Sequence, residues 1–136
     1  MYKILLLLLL AGCEGTSYSR SDASIELGNV LKKNDYKFVD FSVLQGEKWT
    51  KVCFLGPYNI QSSKMLGFEW NITKHTDVLS SDGHNVIIFA TDSEVITFIV
   101  HNRGYGDFWQ LTGQCFPREQ SKLYKSKESG AWYIGK

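Results

Sequence analysis

The chain has 136 residues, 43% hydrophobic and 14% aromatic, with fifteen basic against fourteen acidic side chains for a formal net charge of +1. That length fits one domain of ordinary size, and the apolar content suffices for a packed core, which excludes a disordered chain. The near-balance of charge excludes nucleic acid as the main partner, because binding to a phosphate backbone needs a surplus of Lys and Arg to displace counterions.

In chain order, Lys3 supplies a positive charge and Ile4–Ala11 is an unbroken apolar run containing six consecutive leucines. The run is far shorter than the roughly 20 residues of a membrane-spanning helix, but long enough for the apolar region of a signal peptide. Leu10-Ala11-Gly12-Cys13 follows: an aliphatic residue, two small residues and a cysteine. This segment resembles the lipobox of bacterial lipoprotein signal peptides. The same residues also suit an ordinary secretory signal whose cleavage site precedes a cysteine.

The resemblance implies a signal peptide over residues 1–12, cleaved before Cys13, with a diacylglycerol on the Cys13 thiol and a further acyl chain such as palmitate on the new amine. Two or more acyl chains hold a protein stably to a membrane, at about 0.8 kcal/mol per buried methylene. Loss of Lys3 would leave fourteen basic and fourteen acidic groups, a neutral mature chain. The implied location is the periplasmic side of a cell envelope. Glu14, standing where aspartate acts as the inner-membrane retention signal, favours the outer membrane over the inner.

Residues 13–21 are small and polar and read as a tether, with a coil reach of about 15 Å. The globular domain is expected over 22–136. Ala23, Leu27, Val30 and Leu31 recur at helical spacing behind Asp22 as N-cap, with Gly28 weakening the middle; a strand is the alternative. Tyr36–Leu44 and Trp49–Leu55 read as strands around a Gln45-Gly46 turn, and Gly56-Pro57 stops the second. A short helix is expected from Asn59 as cap to Leu66, ended by Gly67. Phe68–Thr73 reads as another strand, and Ser80–Gly83 as a polar turn.

Val86–Ala90 and Val95–Val100 are apolar at nearly every position and are joined by Thr91–Glu94. Such runs suit strands buried on both faces in the middle of a sheet, with the two helices as part of the cover. Lys122–Lys125 and Ala131–Ile134 suggest a last hairpin around Glu128-Ser129-Gly130. The expected architecture is α+β: one small domain, an antiparallel sheet of about five to seven strands, one or two short helices and one disulfide. A small all-β sandwich or barrel is the alternative.

With Cys13 assigned to lipid, Cys53 and Cys115 remain as a pair, and an exported protein is expected to join them. If Val52 and Phe54 face one side of the sheet, Cys53 faces the other. The expected Cα separation is about 4.4–6.8 Å.

No catalytic residue, metal site or cofactor is expected. His84 follows Asp82-Gly83 and reads as a solvated loop residue. His101 closes an apolar strand and shares a face with Val95, Thr97 and Ile99. The spacing of His75, His84 and His101 matches no zinc site. Ser62-Ser63-Lys64 has the wrong spacing for a nucleophile set and reads as helix surface.

The most suggestive segment is His101–Trp109, HNRGYGDFW. It presents Arg103, Tyr105, Asp107 and Trp109, residue types that dominate protein interfaces because they join large area to a polar handle. The plainer reading has Phe108 and Trp109 seat the loop on the core while Arg103 pairs with Asp107. Gly104 and Gly106 suggest positive φ at one or both positions. The leading functional expectation is a lipid-anchored, non-enzymatic binding or accessory module for an envelope protein or glycan. The alternatives are a small hydrolase acting on peptidoglycan or glycan, and a purely structural lipoprotein.

Overall fold

The computed structural model describes residues 20–135. The lipobox, Cys13 and most of the tether lie outside the described residues. No helix among the described residues is long and apolar enough to cross a membrane.

The two apolar runs form β3 (His84–Ala90) and β4 (Val95–Asn102), an antiparallel pair whose turn is closed by the Thr91 N–H donating to the Glu94 carbonyl at 2.9 Å. β2 (Lys51–Leu55) pairs with the other side of β3. β5 (Cys115–Pro117) then flanks β2, giving a four-stranded antiparallel sheet in the order β4-β3-β2-β5. A second antiparallel sheet joins β1 (Phe38–Asp40), β6 (Lys122–Lys125) and β7 (Trp132–Ile134) in the order β1-β6-β7. The seven strands are therefore split between two sheets. With α1 (Arg20–Lys33) and α2 (Ser62–Leu66) they make a small α+β domain with one disulfide among the described residues.

Alternation along β2 sets the two sides of the larger sheet. Val52 and Phe54 join Ile87, Phe89 and Ile99 in one cluster, where Ala23, Leu27 and Leu31 of α1 and Val39, Leu123 and Trp132 of the smaller sheet also pack. Cys53 and Leu55 face the other side with Val86, Ile88 and Ala90, beneath Leu66 of α2. The helices thus cover opposite faces. Burial of this kind is worth about 25 cal/mol per Å² of apolar surface. Phe41, Phe54, Phe89, Phe108, Trp49 and Trp132 contribute much of that surface, and several of their rings meet edge to face.

Cys53 and Cys115 are direct register partners, bridged with Cα atoms 4.0 Å apart. That is closer than the expected range, because the two residues face each other on adjacent strands. Pairing continues upstream of the bridge: the Gly113 N–H donates to the Phe54 carbonyl at 2.7 Å, and the Phe54 N–H to the Gln114 carbonyl at 3.0 Å.

Several expectations are corrected. β3 is central and buried from Asn85 to Ala90, but β4 is an edge strand with alternating burial, because nothing pairs with its outer side in the sheet. Its register skips Ile96, so Val95 falls on the opposite side from Thr97, Ile99 and His101. α1 begins at Arg20, which places Asp22 inside its first turn. The expected 36–44 strand shortens to β1, because Asp35 and Tyr36 hold positive φ and the Asp40 carboxylate accepts the Ser42 N–H at 3.0 Å, starting a helical turn over Phe41–Val43.

Phe68–Thr73 is not a strand. Its backbone is tied to α2 instead: the Ser62 and Ser63 hydroxyls both donate to the Trp70 carbonyl, at 2.6 and 2.9 Å. They also accept the Ile72 and Trp70 N–H groups, at 3.0 and 2.9 Å. Those serines are therefore a staple rather than helix surface, and Ser62 is buried. α2 itself starts at Ser62, while Asn59 caps the preceding turn by accepting the Gln61 N–H.

Candidate functional site

The segment leaving β4 is braced at almost every residue. His101 is buried, and its ring Nε2 lies 2.8 Å from the Gly106 carbonyl; since a carbonyl only accepts, Nε2 carries the proton. Asn102 Oδ1 accepts the Gly104 N–H at 2.8 Å. Arg103 meets Asp107 with two hydrogen bonds, Nε to Oδ1 at 2.9 Å and Nη2 to Oδ2 at 2.7 Å, and its Nη1 donates to the Asp82 carbonyl at 2.7 Å. This forked geometry is available to Arg and not to Lys.

Asp107 Oδ1 also accepts the Trp109 N–H at 2.9 Å. Burial pushes the Asp107 carboxyl up, but the Arg103 hydrogen bonds, the Trp109 N–H and the Arg103 charge outweigh it and hold the group below the usual carboxylate range. Gly106 sits at φ +130°, a backbone conformation that side chains with a Cβ rarely adopt, so glycine is required at this point. Gly104 does not take a positive φ.

Phe108 is the anchor. Its ring stacks on Trp132 at 5.0 Å and meets Phe54, Phe41 and His101 at 5.2–5.9 Å, while its N–H donates to Asn85 Oδ1 at 3.0 Å. Trp109, however, does not seat the loop. It is 55% exposed, and Tyr105 is 61% exposed. Both face outward from a backbone turned by Gly106 and pinned by Phe108. Of the four expected surface residues, Arg103 and Asp107 are engaged with each other, and Tyr105 and Trp109 face solvent.

The remaining candidates do not converge. His84 is the first residue of β3, opposite Asn102, and is half-buried rather than a solvated loop residue. His75 stacks on Trp70 at 4.6 Å. Among the described residues, no three His, Cys, Asp or Glu side chains come together to hold a metal ion.

Two surface features went unread in the sequence. One is a concavity of about 380 Å³ walled by Tyr58, Ile60, Ile72 and Leu79. The other is an open concavity of about 660 Å³ at the end of the smaller sheet, where Tyr124 and Tyr133 meet Lys37, Lys125 and Lys127. The signal for the second was present as Tyr124 between Lys122 and Lys125 on a short strand, but its register could be known only once β1, β6 and β7 were paired. Comparison with protein-family models, with curated proteins and with solved structures gives no match.

Proposed function

We propose that the chain is a lipid-anchored cell-envelope lipoprotein, held through Cys13, whose folded domain acts as a non-enzymatic binding or accessory module. The loop from Arg103 to Trp109 is its contact surface. One observation carries the reading: Tyr105 and Trp109 stand exposed on a loop whose other side chains are spent on holding it still. A braced loop presents its aromatic residues without the ordering cost that weakens flexible binding segments. Two further features support export and anchoring. Cys53 and Cys115 are joined, as suits an oxidising compartment, and Leu10–Cys13 has the lipobox pattern. The anchor faces the periplasm, with Glu14 favouring the outer membrane, and the partner is an envelope protein or glycan.

The test is affinity capture of the anchored protein from native envelope, comparing wild type with the Tyr105→Ala/Trp109→Ala double variant. The captured species should be lost with the double variant while its melting temperature stays within a few degrees. An unchanged set of captured species would overturn the assignment of the loop. For the anchor, labelled palmitate should enter wild type and not Cys13→Ser; equal incorporation would refute the lipobox.

A further inference from the structure

The smaller sheet buries one face and leaves the other to solvent. In register, Phe38 of β1 stands opposite Tyr124 of β6, and Tyr124 stands opposite Tyr133 of β7. Three aromatic rings from three strands therefore form one row across the sheet, with centroids 6.1 Å apart at each step and planes inclined by 34° and 31°. Tyr133 is 51% exposed. Tyr124 lies over Gly135, where any Cβ would overlap its ring, so its position depends on that glycine.

A basic rim surrounds the row. Lys122 Nζ lies 5.4 Å from the Phe38 centroid and 5.7 Å from that of Tyr124, and Lys37, Lys125 and Lys127 line the concavity of about 660 Å³ beside Tyr124 and Tyr133. Two acids are near. Asp40 lies opposite Lys122, but its carboxylate is occupied by the Ser42 N–H and hydroxyl. Glu128 also lines the concavity. Three lysines thus line the concavity and a fourth lies over the Phe38 and Tyr124 rings, in a chain whose overall charge is close to zero.

Cross-strand aromatic pairing alone would stabilise the sheet. It does not account for the lysines around the concavity. We propose that this face binds an acidic glycan. Pyranose rings would stack their C–H faces on Tyr124 and Tyr133, and the carboxylate or phosphate groups of the sugar chain would meet Lys37, Lys122, Lys125 and Lys127. The two phenol hydroxyls add hydrogen-bonding groups that suit sugar hydroxyls.

A membrane surface is the poorer fit, because Tyr124 and Tyr133 line a concavity instead of projecting from a ridge. Nucleic acid is the poorer fit because the chain has no overall basic surplus to neutralise a dense phosphate backbone. The site lies apart from the Arg103–Trp109 loop in sequence and rests on different residues, so the two readings stand or fall separately.

The test uses the purified full chain in a zwitterionic detergent and titration calorimetry with four probes: hexameric oligogalacturonate, neutral maltohexaose, a twelve-residue oligothymidylate, and glycerol phosphate as a soluble phospholipid head group. The galacturonate hexamer should bind, weakening as salt is raised, and the neutral hexamer should bind at least tenfold more weakly. Tyr133→Ala and, separately, Lys125→Gln/Lys127→Gln should each weaken galacturonate binding by tenfold or more, and the lysine variant should flatten its salt dependence. Tyr105→Ala should leave it unchanged. The proposal is overturned if the galacturonate hexamer does not bind, if the neutral hexamer binds equally well, or if the oligothymidylate or glycerol phosphate binds more tightly. It is likewise overturned if both folded variants bind as wild type does. Should Tyr133→Ala fail to fold, the lysine pair decides the matter.

Discussion

His101 and Gly106 are joined by one hydrogen bond, ring Nε2 to carbonyl oxygen at 2.8 Å, which folds the end of β4 back on the loop that follows it. Burial is the largest influence on the imidazole and lowers its pKa below 6.5; the Gly106 bond and the Asp107 charge pull the other way, and His84 adds to the lowering. The folded state therefore takes up a proton at His101 less readily than the unfolded chain does. Stability from this group is complete above about pH 6.5 and falls as pH drops from there through the folded value.

Urea melts of wild type should accordingly weaken between pH 7.5 and pH 5, with a shallower fall in His101→Gln. Asp107 acts lower down: its carboxyl is held below the unfolded value, so its contribution is present above about pH 4 and is lost as pH falls further. Equal slopes for wild type and His101→Gln between pH 7.5 and pH 5 would contradict the first assignment.

The disulfide closes a loop spanning 62 residues in sequence, worth about 4 kcal/mol by the chain-entropy relation. Cys53→Ala and Cys115→Ala should each cost on the order of 2–5 kcal/mol in chemical denaturation, and the double variant little more than either. Two reactive thiols titrated in unreduced wild type would show the pairing to be absent in solution.

Arg118 closes the Trp49 turn region in a way only a guanidinium allows. It donates to the Trp49, Ser42 and Gly46 carbonyls at 3.1, 2.7 and 2.8 Å, with its Cζ 4.4 Å from the Trp49 ring centroid. Lysine keeps the charge but not the fork. Arg118→Lys should lose about 1–3 kcal/mol and loosen Trp49, seen as a red-shifted tryptophan emission. An unchanged denaturation midpoint would show that the three bonds are replaced by water at no cost.

Gly28 lies in the middle of α1, and a Cβ built there meets nothing within 4 Å. Gly28→Ala should raise stability by about 0.5–1 kcal/mol through a less flexible unfolded chain and better helix propensity. Partner capture and glycan binding should be untouched. A lower melting temperature would mean that α1 needs its glycine for a contact outside the described residues.

Periodicity made the main elements legible. The stripe Ala23, Leu27, Leu31 and the two apolar runs at 86–90 and 95–100 are long enough for their burial to dictate their shape. The side taken by Cys53 followed from Val52 and Phe54 by alternation, and the Arg103–Asp107 pair from opposite charges in one short loop. What stayed hidden depended on partners distant in sequence. Phe68–Thr73 has strand-forming residues, but the Ser62 and Ser63 hydroxyls take its backbone groups. The edge position of β4 cannot be told from its composition, because α1 supplies the cover that a neighbouring strand would. The aromatic row appears only when β1 is laid beside β6, across more than eighty residues of chain.

Splitting seven strands into two sheets gives four edges, and three of them belong to strands of three residues. Short edges recruit stray chains poorly, and β5 also ends in Pro117, which has no N–H to offer. β4 is different: eight residues, rich in Val, Ile and Phe, with no lysine or proline to repel a newcomer. Its chief protection is α1, which packs Leu27 and Leu31 into the same cluster as Ile99, and the skipped residue at Ile96, which breaks the even spacing a second strand would need. The first helix is thus also the chaperone of its own fold. Undocking it converts the longest strand into a template for aggregation, so damage to α1 should be read out as insolubility sooner than as loss of binding.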